Sequence, residues 1–173
     1  QKDLTSFLMD RLKFFMKEEK IRHDIIQAST SYFNLDQSVV IFYKAKSLNK
    51  IINKPNGIDI VLSYKRASNI LENDLKTELS NTTDPGIFKT EVEKNLYKKI
   101  NELIKYFSSI NRDENFDDTL NNLAQSKNVI FDFFDNVIVN EEDPAIKKNR
   151  LELIQLLCKT FNNYVNFNLI EPH

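Results

Sequence analysis

Few residues in this chain have both the type and the spacing for chemistry. Asp132 and Asp135 stand one helical turn apart and could be read as paired catalytic carboxylates. His23-Asp24 has the form of half a metal-dependent phosphohydrolase signature, and Cys158 is a single thiol. Each lacks its complement. A metal shell needs several histidines and acids, and the only other histidine is His173. A nucleophilic thiol needs an activating base, whereas Cys158 falls on an apolar helix face. The sequence contains no Gly-rich phosphate loop, no metal-spaced His/Cys set and no nucleophile-base pair. Asp132 and Asp135 are therefore read as structural ion-pair partners, and His23 as a partly buried residue beside a helix start.

Arg150 is a stronger anomaly. The apolar stripe Ile146, Leu153, Leu157, Phe161, Tyr164 carries an arginine at the helically correct position. A buried guanidinium needs a carboxylate, because an unpaired charge in a core is too costly to keep. The expected partner is Asp135, with Asp132 second, both on the preceding helix.

The elements that must position these residues are helical. Among 173 residues there are two glycines, four prolines and no tryptophan, so turn formers are scarce, and the length suffices for one or two small domains. Leu4, Phe7, Leu8, Leu12 and Phe15 fall at helical spacing and predict a first amphipathic helix, followed by a short one over residues 22–31. Asn34 is a good N-cap for a third helix over residues 35–52. Lys54-Pro55-Asn56-Gly57 is the best domain boundary, dividing the chain into 1–54 and 55–173, and a helix follows to Asn73. Residues 75–83 read as a linker or a frayed turn. Asp84-Pro85-Gly86 then opens a long helix striped by Phe88, Val92, Leu96, Ile100, Leu103, Phe107 and Ile110. After a connection over 111–115 come a short acidic helix to Ala124 and a nearly all-apolar helix carrying Val129, Ile130, Phe133, Phe134, Val137 and Ile138. Asp143-Pro144 starts the C-terminal helix. The fold class is all-α, a helical bundle preceded by a smaller helical region.

Charge and compartment follow. The formal net charge is -1, but the signs are segregated. Six cations stand against Asp59 over residues 44–66, and nine carboxylates against Lys127 over residues 113–143. Such a chain could hold a phosphate backbone on one face and stay near neutral overall. Lys65 and Arg66 are either nucleic-acid contacts or the solvent-facing ends of a packed helix. One cysteine rules out an internal disulfide and fits a reducing cytoplasm, and no apolar run is long enough to span a bilayer. The start at Gln1, without a methionine or a charged-then-apolar leader, is read as an excised C-terminal piece, not a secreted or targeted protein.

The order Phe133-Phe134-Asp135, Val137-Ile138-Val139, Glu142-Asp143, Asn149-Arg150-Leu151 and Val165-Asn166-Phe167 resembles the end of the bacterial glycyl-tRNA synthetase beta subunit. Asp10-Arg11-Leu12, Arg22-His23-Asp24-Ile25-Ile26 and Lys65-Arg66-Ala67-Ser68-Asn69-Ile70-Leu71 agree with it, so the resemblance covers almost the whole chain. The chain departs from the family pattern at Lys20, where glycine is usual, and at Asn166 and Asn168, where aspartate and serine are usual.

The resemblance implies that the region after Pro55 is a DALR-type anticodon-binding bundle and that residues 1–54 join it to the beta-subunit body. It implies a non-catalytic part of a glycine-tRNA ligase, with ATP and Mg used at the alpha subunit and no cofactor in this fragment. The implied partners are glycine-accepting tRNA and the alpha subunit of a heterotetramer, in the cytoplasm, with no DNA and no membrane. Lysines and arginines would then neutralise anticodon-stem phosphates, with Lys65, Arg66, Lys147 and Lys148 as candidates. Asn69 and Asn149 are the candidates for hydrogen bonding unpaired bases. The competing reading is a helical interaction module that docks on the synthetase or another protein through the acidic face.

Overall fold

The computed structural model describes residues 2–74, 76–109 and 116–172. Ile110, Asp113, Glu114 and His173 lie outside them, as does the whole connection expected at 111–115. The elements are α1 (Lys2–Glu18), α2 (His23–Thr30), α3 (Ser38–Ile51), α4 (Pro55–Asn73), α5 (Glu91–Ser109), α6 (Phe116–Gln125), α7 (Lys127–Asn136) and α8 (Pro144–Asn162). Short 3-10 turns sit at Leu35–Gln37, Pro85–Ile87 and Phe167–Leu169, and there is no strand among the described residues. The fold is all-α.

α8 is the hub because its sequence is apolar on more than one side. Leu151, Leu153, Ile154, Leu157, Cys158 and Phe161 are all buried, so the helix packs against α4 on one flank and α5 on another. Burying each large side chain contributes roughly 1.5 to 3 kcal/mol. At its C-terminal end the rings of Tyr64, Phe161 and Phe167 meet, with centroids 5.6 to 6.0 Å apart. The Tyr64 hydroxyl donates to Asn168 Oδ1 at 2.7 Å and accepts from Asn162 Nδ2 at 3.1 Å, which fixes the C-terminal turn to α4 and α8. Asn166, where the resemblance leads one to expect aspartate, still caps that turn by accepting from the Asn168 N–H. The same core extends into the first 54 residues, through Met16, Ile25, Ile26, Ala45 and Leu48. Lys54-Pro55-Asn56-Gly57 is a tight corner between α3 and α4. A Cβ at Gly57 would stand 2.1 Å from the Ile51 carbonyl oxygen, so only glycine lets the two helices meet there.

Several helix ends are set by local chemistry. α1 stops with Lys20 at φ 57°, the Lys20 N–H bonded to Lys17 O and the Ile21 N–H bonded to Met16 O. These are the two bonds of a Schellman cap, whose left-handed residue is normally glycine, and this accounts for the glycine usual at that place. Asp143 caps α8 as expected, accepting from the Ala145 and Ile146 N–H groups at 2.8 and 3.4 Å. The long fifth helix, by contrast, does not start at Asp84. Pro85–Ile87 is only a 3-10 turn, and α5 starts at Glu91 behind a capping box. Thr90 Oγ1 accepts from the Glu93 N–H at 3.2 Å, while Glu93 Oε2 accepts from the Thr90 N–H at 2.7 Å.

Burial differs from expectation in three places. The α1 stripe faces the core only in part: Leu4, Phe7, Leu8 and Phe15 are 37 to 59% exposed, whereas Leu12 packs against the core and Met16 is buried. Ile138 is also exposed, because α7 ends at Asn136 and the chain turns extended at Val137. Residues 76–83 are irregular yet pinned to α8, since Glu152 accepts from the Ser80 N–H at 2.8 Å and Lys159 bonds Asn81.

Candidate nucleic-acid interface

Arg150 is buried as its place in the stripe demands, but its partner is neither Asp135 nor Asp132. Its Nε donates to Glu93 Oε1 at 2.8 Å, and its Nη1 donates to Glu141 Oε2 at 3.0 Å and to the Ile138 carbonyl at 2.8 Å. The reason is packing. Asp132 and Asp135 point outward from α7, whereas the start of α5 lies against α8 and presents Glu93, itself 1% exposed. Burial pushes the Glu93 carboxyl up, but the Arg150 guanidinium, the Thr90 hydroxyl and two backbone N–H groups outweigh it and hold the pKa below the ordinary carboxylate value. Asp132 instead accepts from Asn136 within its own helix, and Asp135 pairs with Arg66 at 2.9 Å.

That second pair changes the reading of the basic stretch. Lys50 pairs with Asp117 at 3.4 Å, Lys127 with Asp59 at 2.7 Å, and Lys46 with Glu19 at 2.9 Å. The basic and acidic stretches thus meet in three ion pairs, Arg66–Asp135, Lys50–Asp117 and Lys127–Asp59. Arg66 also donates to the Phe134 carbonyl at 3.0 Å and lies 4.9 Å from the Phe134 ring centroid. Lys65 donates to the Asn168 carbonyl at 2.9 Å. Both residues hold elements together.

The other candidates divide in the same way. Asn149 is 3% exposed, and its amide exchanges two hydrogen bonds with the backbone of Asp84, at 2.7 and 2.9 Å. A side chain so used has no edge left for a base. Asn69 is exposed on α4, one turn before Asn73. Lys147 pairs with Asp74 at 2.5 Å, and Asp74 also accepts from Thr77. The Lys147 ammonium, then Thr77, hold the Asp74 carboxyl below its ordinary pKa. Lys148, half-buried in the same turn, has no ion pair or hydrogen bond with any described residue.

Of the six candidates, Lys147 lines a groove. The groove, of about 660 Å³, runs between the end of α4, the loop before α8 and the first turns of α8. Ile70, Val139 and Leu151 form its floor, and Asn73, Asn140, Lys76 and Lys147 its polar margin. Exposed asparagines can donate to and accept from base edges. Asn73 shares a stripe with Arg66 and Asn69 at helical spacing, but Asn140 and Lys76 carried no signal, since each enters the groove from irregular backbone.

His23 is exposed at the start of α2, not partly buried. Its neighbours are structural: Arg22 pairs with Asp24 at 2.5 Å, and Asp24 accepts from the Glu171 N–H at 2.9 Å. Cys158 is buried, which pushes its thiol up to about 12 and leaves it without thiolate character. Among the described residues no group of three or more His, Cys, Asp or Glu side chains is placed to hold a metal ion, and no helix is long and apolar enough to cross a membrane.

Comparison with known proteins agrees with this architecture. Residues 60–172 match the sequence model of the DALR anticodon binding domain. The chain is 36% identical over 169 residues to the glycine-tRNA ligase beta subunit of Rickettsia bellii (strain OSU 85-389), covering 96% of this chain and 24% of the relative. The beta subunits of Rickettsia akari and Rickettsia felis are each 34% identical, with the same coverage. The chain spans about a quarter of the length of these relatives.

Proposed function

Because the chain belongs to the DALR anticodon-binding domain family, we propose that it reads the anticodon arm of glycine-accepting tRNA as part of a glycine-tRNA ligase beta subunit. The observation that carries this reading is the groove beside the start of α8, where Asn73 and Asn140 face Lys76 and Lys147. Unpaired anticodon bases would enter it and meet the asparagine amides on their Watson–Crick edges, with Asn69 extending the row along α4. Lys76, Lys147 and Lys148 would position the loop through phosphates without reading sequence. Lys65 and Arg66 contribute by keeping α4, α7 and the C-terminal turn in register.

In this reading residues 1–54 join the reader to the rest of the subunit. The attachment of glycine, with ATP and Mg, belongs to a partner alpha subunit in the cytoplasm, as a step of protein biosynthesis. The test is a titration of the chain with glycine-accepting tRNA, and with the same tRNA carrying an altered anticodon, at two salt concentrations. Binding weakens with salt and falls when the anticodon changes. Salt-sensitive binding indifferent to the anticodon reduces the role to phosphate positioning, and absence of binding removes the reading for this chain.

The exposed apolar face of α1 favours a second role beside the first. Leu4, Phe7, Phe14 and Phe15 would be covered by another part of the longer subunit, since the relatives are about four times as long as this chain.

A further inference from the structure

Two adjoining cavities lie at the opposite end of α8 from the groove. The larger, about 320 Å³, is walled by Ile104, Phe107, Phe116 and Thr119. The smaller, about 110 Å³, is walled by Ser29, Tyr32 and Asn162. Lys44 and Tyr164 line both.

Three polar groups there are incompletely matched. Lys44 Nζ donates to the Asn163 carbonyl at 3.2 Å and lies 5.4 Å from the Tyr164 ring centroid, but among the described residues no carboxylate is within ion-pair distance of it. Burial lowers the pKa of this amine. Thr119, on the wall of the larger cavity, is 1% exposed, and its hydroxyl has no hydrogen-bond partner. Ser29, on the wall of the smaller one, is 8% exposed and equally unpartnered. Buried hydroxyls without partners are rare in folded proteins, and two beside one cation with no ion-pair partner among the described residues is the arrangement of a site for an acceptor.

We propose that the larger cavity binds a small organic carboxylate with an aromatic or branched apolar body. The carboxylate accepts from the Lys44 ammonium and the Thr119 hydroxyl, and the body packs between Ile104, Phe107 and Phe116. One cation matches one negative charge. A phosphate dianion would leave charge uncompensated against apolar walls, and a neutral base would leave Lys44 without a counter-ion. This site is separate from the groove and does not depend on the anticodon reading.

The test uses phenylacetate, 4-methylpentanoate and hippurate as probes, with phenylacetamide, inorganic phosphate and cytidine beside them, followed by the backbone amide shifts of Thr119 and Tyr164. At least one carboxylate is expected to shift these amides saturably. For phenylacetate, the matched amide should bind about tenfold more weakly or worse, the loss of one charge-assisted contact. Lys44→Met and Thr119→Val each weaken the carboxylate by about tenfold. Thr119→Val also raises Tm without ligand, because it removes an unpartnered buried hydroxyl at nearly constant volume; a purely structural threonine would lower it. The proposal is overturned if no carboxylate shifts these amides, if acid and amide bind alike, if neither variant changes affinity, or if phosphate or cytidine binds in preference.

Discussion

Residues 147–150 occupy a single turn of α8 and face two unlike environments. Asn149 and Arg150 point into the junction with α5 and the Asp84 loop, where both amide atoms of Asn149 bond the Asp84 backbone and Nε and Nη1 of Arg150 bond Glu93, Glu141 and the Ile138 carbonyl. Lys147 lines the groove and is held by an ion pair to Asp74, and the half-buried Lys148 side chain has no partner among the described residues. Successive helical residues are about 100° apart, so a single turn reaches both environments. Adjacency does not confer a shared role. The inner side is a lock that fixes the frame, and the outer side keeps polar groups free for a partner.

The largest effect that could break this division lies at the lock. Arg150→Met leaves the buried Glu93 carboxylate without its cation and should cost about 3 to 5 kcal/mol in denaturant unfolding. A loss under about 1 kcal/mol, the scale of an exposed pair, would show that the junction is wetter than its burial implies. The pH dependence gives an independent check. Glu93 has a folded pKa below its ordinary 4.5, so its stabilisation is present above that value and is lost as pH falls through the folded one. Glu93→Gln should therefore flatten the acid limb of a stability-pH curve below pH 4.5 and leave the shape near neutrality unchanged.

Asn149 and Asn73 sharpen the comparison with one substitution type. Asn149→Ala strands the N–H and carbonyl of Asp84 and should destabilise by about 1 to 3 kcal/mol, with little change in the salt slope of RNA binding. Asn73→Ala is a surface change worth about 0.5 kcal/mol or less in stability, and it should weaken discrimination between anticodons. If the two exchanged effects, the assignment of lock and groove would be reversed.

How much of this was legible in the sequence depends on the range of the interaction. Periodicity placed the helices, and Asp143-Pro144 fixed the start of α8, because caps and stripes are local. Arg150 announced itself as a buried charge for the same reason. Its partner did not. Asp135 was the acid expected from the preceding helix, whereas Glu141 lies in the loop 9 residues before Arg150, and Glu93 lies 57 residues away and carries a different local signal, the Thr90-x-x-Glu93 capping box. That box was readable, but that its second oxygen would meet an arginine depends on α5 packing against α8. The stripe of α1 was readable as a helix and not as an exposed one, since periodicity says which residues share a face and nothing about whether a neighbour covers it. Asn149 was placed with the lysines before it for want of any local sign that the Asp84 loop would reach its amide. Asn140 and Lys76 had no periodic context at all.

The lysines should separate binding from stability. Lys76→Ala and Lys148→Ala are expected to leave Tm nearly unchanged, and each to reduce the salt slope of tRNA binding by about one. Lys148 sits only half-exposed in the first turn of α8, so a loss confined to Lys76 would place the phosphate track on the α4 side of the groove.

The smallest effect concerns Lys147, whose ammonium is shared with Asp74 at 2.5 Å. A lysine neutralised in this way releases little counter-ion when it meets phosphate, so Lys147→Ala should weaken RNA binding less than Lys148→Ala does. Asp74→Asn reverses the sign. It frees the ammonium and removes a carboxylate from the groove margin, and should tighten tRNA binding while steepening its salt dependence by about one. If Asp74→Asn weakens binding instead, the Asp74–Lys147 pair serves to hold the end of α4 against α8, and belongs with the lock.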